Sequence, residues 1–206
     1  MLPTFSFLLA ATLLAIIPGP GVAYVVARTV AGGTAEGITT TVGLTLGGMV
    51  HVLAAALGLS VLIAQSAMAF TVLKYLGAAY LVYLGIKTIL SRPEASGSPA
   101  IKRAGPAKAL RDGIIVETLN VKTAMFFLAF IPQFVSVQQA MAPQFILLGS
   151  ICVLLNSTVD LIAVFAASRI VSTGVAKAAK ERLLCRLSGT TMMTLGVLVA
   201  IANREA

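Results

Sequence analysis

Six apolar runs dominate the chain, at residues 5–27, 40–64, 69–90, 113–135, 144–168 and 188–203, the last being the shortest. A hydrocarbon core about 30 Å thick asks for about 20 residues of helix, so runs of this length predict membrane-crossing helices. Only 11% of the 206 residues are charged and the mean hydropathy is +0.99. Soluble domains carry about a quarter charged residues, so a water-soluble core is the reading this composition disfavours. The expectation is an all-α integral membrane protein with six transmembrane helices.

The net charge of +8 looks at first like a nucleic-acid signal, but its placement argues otherwise. Twelve basic residues fall on one side of the predicted spans: Arg28, then Lys87, Arg92, Lys102, Arg103, Lys108 and Arg111, then Arg169, Lys177, Lys180, Arg182 and Arg186. Lys74 and Arg204 fall on the other, and Lys122 lies inside span four. The positive-inside rule then puts the twelve in the cytoplasm, facing anionic headgroups, with both termini outside. This sidedness depends on span six crossing. The stretch "MLPTFSF" has no Lys or Arg, so Phe5 to Ile17 reads as a retained first helix and not a signal-peptide core. Cys152, Cys185 and a single His supply neither a disulfide framework nor a metal site, and no cofactor is expected. No GxxxxGK[ST] loop is present, which excludes a built-in ATPase of that type.

Three spans followed by three must run in opposite senses across the membrane, the arrangement of an inverted 3+3 repeat. The division is 1–90 for the first three-helix repeat, 91–112 for a cytoplasmic linker, and 113–206 for the second repeat, within one membrane domain. The linker, "SRPEASGSPAIKRAGPAKALRD", is rich in Pro, Gly, Ser and charge. Spans one and four each carry an interruption, "PGPG" at 18–21 and "ETLNVK" at 117–122, and are expected to be broken helices. Spans three and six share a late Leu-Gly, at Leu84-Gly85 and Leu195-Gly196.

Depth follows from the rise per residue. Pro18 lies ten residues from Arg28, Lys122 eleven from Arg111, and Asp160 nine from Arg169, which is about 15, 16 and 13 Å of helix. His51 falls about 20 Å into span two. All four converge near the midplane.

A charge at that depth costs about 2.5–3.5 kcal/mol on insertion scales and needs a partner or a function. Lys122 is too deep to snorkel out and is expected to face the bundle interior, near Asp160 or Glu117 or awaiting an anionic ligand. On a regular helix Glu117 and Asn120 share a face while Lys122 points about 200° away from Asn120. All three line one cavity only if the helix is unwound near residue 121. Unwinding at Pro18, Gly19, Pro20 and Gly21 would free carbonyls before the break and aim a helix N-terminus at the cavity, suited to an anionic group. A proline kink that merely shapes the bundle is the alternative. Asp160 shares a face with Asn156 and Gly149, and is open between a proton-carrying carboxylate or counter-ion for Lys122 and a permanent buried pair. Glu117 reads as a solvated entrance residue or a coupling carboxylate. His51 follows Gly43 and Gly47 on a small-residue face, as a packing residue or a proton relay.

These segments resemble a known family. "LLAIIPGPGVAYVVARTVAGGTAEGITTTVGLTLGGMVHVLAAALGLSVLI" looks like the first half of LysE/RhtB-type amino-acid exporters, "LKYLGAAYLVYLGIKTI" like their third segment, and "LRDGIIVETLNVKTAMFFLAFIPQFV" like their fourth. The resemblance implies a secondary-active exporter of amino acids or related metabolites in a bacterial inner membrane, driven by the proton gradient or membrane potential. Pro18, Gly19 and Pro20 fall on the family's first motif, and Asn120 and Lys122 on its Asn-Pro-Lys motif. Val121 stands where that motif has proline, which weakens the helix-breaking argument for span four.

The expected partners are a small-molecule substrate and the lipid bilayer, with no nucleic acid; a homo-oligomer is allowed but not indicated. The substrate would sit among Pro18, Gly19, Pro20, Gly21, Asn120 and Lys122, with Asp160, Glu117 and His51 as coupling or counter-ion residues. No catalytic residue is expected. A passive channel, or an exporter of another solute such as a metal ion, is the competing reading, and the latter would want paired Cys or His/Asp clusters.

Overall fold

The computed structural model describes residues 4–16, 19–61, 66–90, 103, 105–170, 190, 193, 194, 197, 200 and 201. All regular structure among them is helical. Span six, Pro18 and most of the linker lie largely or wholly outside the described residues, as does Cys185.

Helix α1 (Phe5–Ile16) is followed by Gly19 in an extended conformation, φ −117° and ψ −172°, and by α2 (Pro20–Ala54). Proline at the first position of α2 lacks only an N–H that has no intrahelical acceptor anyway. Within α2, Gly33 adopts φ 80° and ψ −179°, a conformation open essentially to glycine alone. The chain folds back there. Gly21 packs on Leu44 at 3.6 Å, measured from where a Cβ would stand; a straight helix would hold these residues about 35 Å apart. Gly37, likewise, has no room for a side chain beside Thr29 and Val164. Residues 20–32 and 34–54 are therefore two antiparallel arms. Residues 28–39, expected as a connection between spans one and two, are helical apart from this one glycine.

The second arm continues through a π-helical turn at Ala55–Leu59. Helices α3 (Ala67–Leu90), α4 (Pro106–Thr118), α5 (Val121–Ala129) and α6 (Met141–Ile170) follow. Helix α4 begins inside the stretch expected as linker, because left-handed Gly105 (φ 82°) and Pro106 form a helix start there. Leu119 (φ −90°, ψ 6°) and Asn120 (φ −73°, ψ 101°) interrupt the helix, and the segments on either side meet at a 44° bend. By length and composition, Met141–Arg169 is long and apolar enough to cross a membrane, and so is the bent pair Pro106–Thr118 and Val121–Phe134. Pro20–Leu59 passes the same test, although its fold-back makes it two arms.

Contacts give the relative directions. The second arm of α2 runs parallel to α4: a Cβ at Gly43 would strike the Leu110 carbonyl, and one at Gly47 would stand 2.7 Å from that of Ile114. Small residues let these backbones approach closely. Helix α6 runs against both, with Val153 beside Gly48 and Val164 beside Gly37.

The bundle is layered along its axis. At one end Phe7, Phe126, Phe130 and Phe134 stack, with Phe130 4.7 Å from Phe126 and 4.8 Å from Phe134 between ring centres. At the other a small apolar layer of Val25, Leu44 and Val164 closes the interior. One group of polar residues lies between the two, and another, with Arg28 and Glu36, lies beyond the second layer.

Candidate functional site

Between the aromatic stack and the Val25–Leu44–Val164 layer lies a cavity of about 40 Å³. Six segments build it. The end of α1 contributes Leu14 and Ala15, and the start of α2 contributes Gly19 and Gly21; Thr45 and Gly48 come from the returning arm. Glu117 ends α4, Lys122 and Thr123 begin α5, and α6 presents Asn156, Ser157 and Asp160.

The break after α1 is stabilised by a side chain from the other half of the chain. Proline at 18 has no N–H to give the Leu14 carbonyl four residues earlier, and Lys122 Nζ donates to that carbonyl at 3.0 Å. Gly19 makes room for the lysine stem: a Cβ there would stand 3.1 Å from Lys122 Cδ. Lys122 is buried, and the charges of Glu117 and Asp160 both act on its ammonium.

The second break is made by Asn120. Its Oδ1 accepts from the Lys122 backbone N–H at 3.1 Å, capping α5, while its Nδ2 donates to Glu117 Oε2 at 2.9 Å. Val121 occupies the first helical position, where proline is permitted but not needed. The interruption lies at Leu119–Asn120, just before Val121, and turns Glu117 and Lys122 into one cavity.

Glu117 is not a solvated entrance residue. It is 8% exposed, its Oε1 accepts from Thr123 Oγ1 at 2.7 Å, and its Oε2 lies 3.1 Å from where a Gly21 Cβ would stand. The N-terminus of α2 thus already faces a carboxylate of the chain itself. Asn120, expected at the substrate, has both side-chain polar atoms committed to neighbours and is not among the cavity-lining residues. Pro20 is exposed. Asp160 is buried in the cavity wall one turn from Asn156, whereas Gly149 packs on Phe127.

His51 lies off this cavity. Its Nε2 is 2.9 Å from the Glu117 carbonyl, one of the groups released where α4 ends, and its ring borders a separate apolar cavity of about 340 Å³ with Gly58, Phe127 and Leu128. Cys152 is buried. Among the described residues, no group of three or more His, Cys, Asp or Glu could hold a metal ion.

Sequence reasoning missed two features. Thr45 and Ser157 face each other with hydroxyls 2.7 Å apart on the cavity wall, and only the four-residue spacing of Thr41, Thr45 and the nearby glycines hints at this face. More consequentially, Arg28 is not a headgroup-facing topology signal. It is 4% exposed and meets the buried Glu36 and the half-buried Asp112. The signal available was an Arg and a Glu eight residues apart on either side of Gly32-Gly33, which a fold-back at the glycines brings together.

Comparison with known proteins places the chain in a family. A family model described as LysE type translocator matches residues 12–203. A Vibrio cholerae uncharacterized membrane protein is 30% identical over 96% of this chain and 96% of its own. A Salmonella typhimurium homoserine/homoserine lactone efflux protein is 29% identical over 97% and 96% respectively. A Salmonella choleraesuis leucine efflux protein is 28% identical over 65% of this chain and 63% of its own. No solved structure matches.

Proposed function

We propose that this chain, which belongs to the LysE type translocator family of membrane transporters rather than enzymes, exports amino acids or closely related small metabolites across the bacterial inner membrane. The observation that carries the reading is the convergence of Gly19, Gly21, Glu117, Lys122 and Asp160 on one buried cavity. A zwitterion needs a cation and an anion presented together in a site poor in water, where charge-assisted hydrogen bonds are strongest. Lys122 meets the substrate carboxylate. Glu117 already answers the α2 N-terminus, so that terminus is not left for the substrate carboxylate, and Asp160 or Glu117 meets the substrate ammonium or exchanges a proton.

At about 40 Å³ the cavity has room for about three waters, so an amino acid enters only when the bundle opens. The reading is alternating access, with α1–α2 and α4–α5 as broken spans and the two three-helix units as inverted repeats. The sidedness expected from the basic residues puts both termini outside. Energy comes from the proton gradient or the membrane potential.

The test is to profile metabolites inside and outside cells with and without overexpression, under an amino-acid or dipeptide load. A compound depleted inside and enriched outside, against its gradient, names the substrate. No change across all amino acids refutes the amino-acid reading, and movement only down a gradient indicates a channel.

A further inference from the structure

Arg28 lies seven residues beyond Gly21 on the first arm of α2, about 10 Å further along the axis. Its Nη2 donates to Asp112 Oδ2 at 2.9 Å and its Nε donates to the Tyr24 hydroxyl at 2.8 Å. Tyr24 in turn donates to the same Asp112 oxygen at 3.3 Å, and the guanidinium carbon lies 5.1 Å from the centre of the Tyr24 ring. Glu36, on the second arm, stands 3.9 Å from Arg28 Nη1. Its other oxygen accepts the Gly105 backbone N–H at 2.9 Å and faces Arg103 at 3.9 Å. One layer, Val25, Leu44 and Val164, separates this cluster from the central cavity.

Adhesion alone is a poor explanation for such a cluster. Well-packed apolar side chains usually hold helices together as well as buried ions do, because ions surrender their hydration. Ions differ in having a second favourable state: once the helices part, water solvates each of them. The cluster also joins segments from both sides of the linker, since Arg28 and Asp112 are 84 residues apart. It lies on the side of the bundle that carries the basic excess.

We propose that Arg28, Tyr24 and Asp112 form the cytoplasmic gate of the transport path, with Glu36 tying the end of the linker to it through Gly105. The proposal rests on reading the central cavity as the transport site. With the gate closed, the first arm of α2 and α4 are held together above the Val25 layer. When the Arg28–Asp112 pair separates and hydrates, the two segments part and the cavity opens to the cytoplasm. The phenylalanine stack closes the opposite end.

The test uses the full chain with Cys152 and Cys185 replaced by Ser and a reporter thiol introduced by Thr45→Cys in the cavity wall. Its labelling by a membrane-impermeant maleimide is followed in inside-out and right-side-out vesicles. Asp112→Asn is expected to raise the rate from the cytoplasmic face about tenfold, since labelling follows the open population, and to leave the opposite face unchanged. Should Asp112→Asn fail to insert, Tyr24→Phe removes only the hydroxyl and should give the same one-sided change, about threefold. A rate unchanged from both faces, or raised equally from both, overturns the gate. Labelling needs no substrate, so the two readings fail separately: one-sided opening without export of any amino acid refutes the substrate, and normal export with unchanged labelling refutes the gate.

Discussion

Lys122 Nζ donates to the carbonyl of Leu14 at 3.0 Å, across 108 residues of sequence. The bond links the two interruptions of the fold. Pro18 leaves that carbonyl without its helical donor, and the break at Leu119–Asn120 turns Lys122 inward to replace it. The ammonium thereby serves the backbone and faces the cavity at once.

Lys122→Met keeps the length of the stem and removes the charge. Losing a charged hydrogen bond is worth about 1.5–3 kcal/mol, so export should fall by about tenfold or more. Membrane insertion, followed by immunoblot of the membrane fraction, should be normal. Efflux at the parental rate would refute the assignment of Lys122 to the substrate.

Asp160→Asn is nearly isosteric and cannot exchange a proton. Export should fall about tenfold and lose its dependence on an imposed pH gradient in loaded vesicles. A variant still accelerated by that gradient would leave Asp160 as a structural partner of Lys122.

Asn120→Ala removes the cap of α5 and the amide that holds Glu117. The cap alone is worth about 0.5–2 kcal/mol, so the melting temperature in detergent should drop and export should weaken. Val121→Pro should be tolerated, because no N–H is needed at the first helical position. Collapse of the fold on Val121→Pro would show that the break differs from the one described.

Gly33→Ala places a side chain at φ 80° and ψ −179°. Such strain costs about 1–3 kcal/mol and should lower the thermal stability of the purified protein by that amount. Gly58→Ala provides the comparison, since a Cβ there meets nothing within 4 Å. Equal effects at the two glycines would show that Gly33 is not the turn of the hairpin.

Several features were legible in the residues alone because they are quantities measured along one dimension. Two apolar runs matched their helices to within a few residues, 69–90 against Ala67–Leu90 and 144–168 against Met141–Ile170, whereas 113–135 began seven residues after Pro106. Prolines and glycines marked the first interruption. The angular argument required a second one near residue 121, although Val121 stood in the usual position of proline. What failed was azimuth and pairing. Glu117 was placed toward the entrance because its depth from Arg111 is small, yet the end of α4 turns it into the cavity. The partners of Asn120, whose amide is occupied with the turn itself, were not legible either.

By itself, then, the sequence determined that this chain is a helical membrane protein, and it counted Lys122 and Asp160 to similar depth, two residues that line one cavity. Each follows from counting residues at 1.5 Å apiece. Only the tertiary structure decided that Lys122 would cap Leu14, that Glu117 would face Gly21, and that Arg28 would leave the headgroups for Asp112. Rotation about a helix advances by about 100° per residue and is reset at every break. Partners 84 or 108 residues apart are therefore chosen by how the helices pack, which no local pattern records.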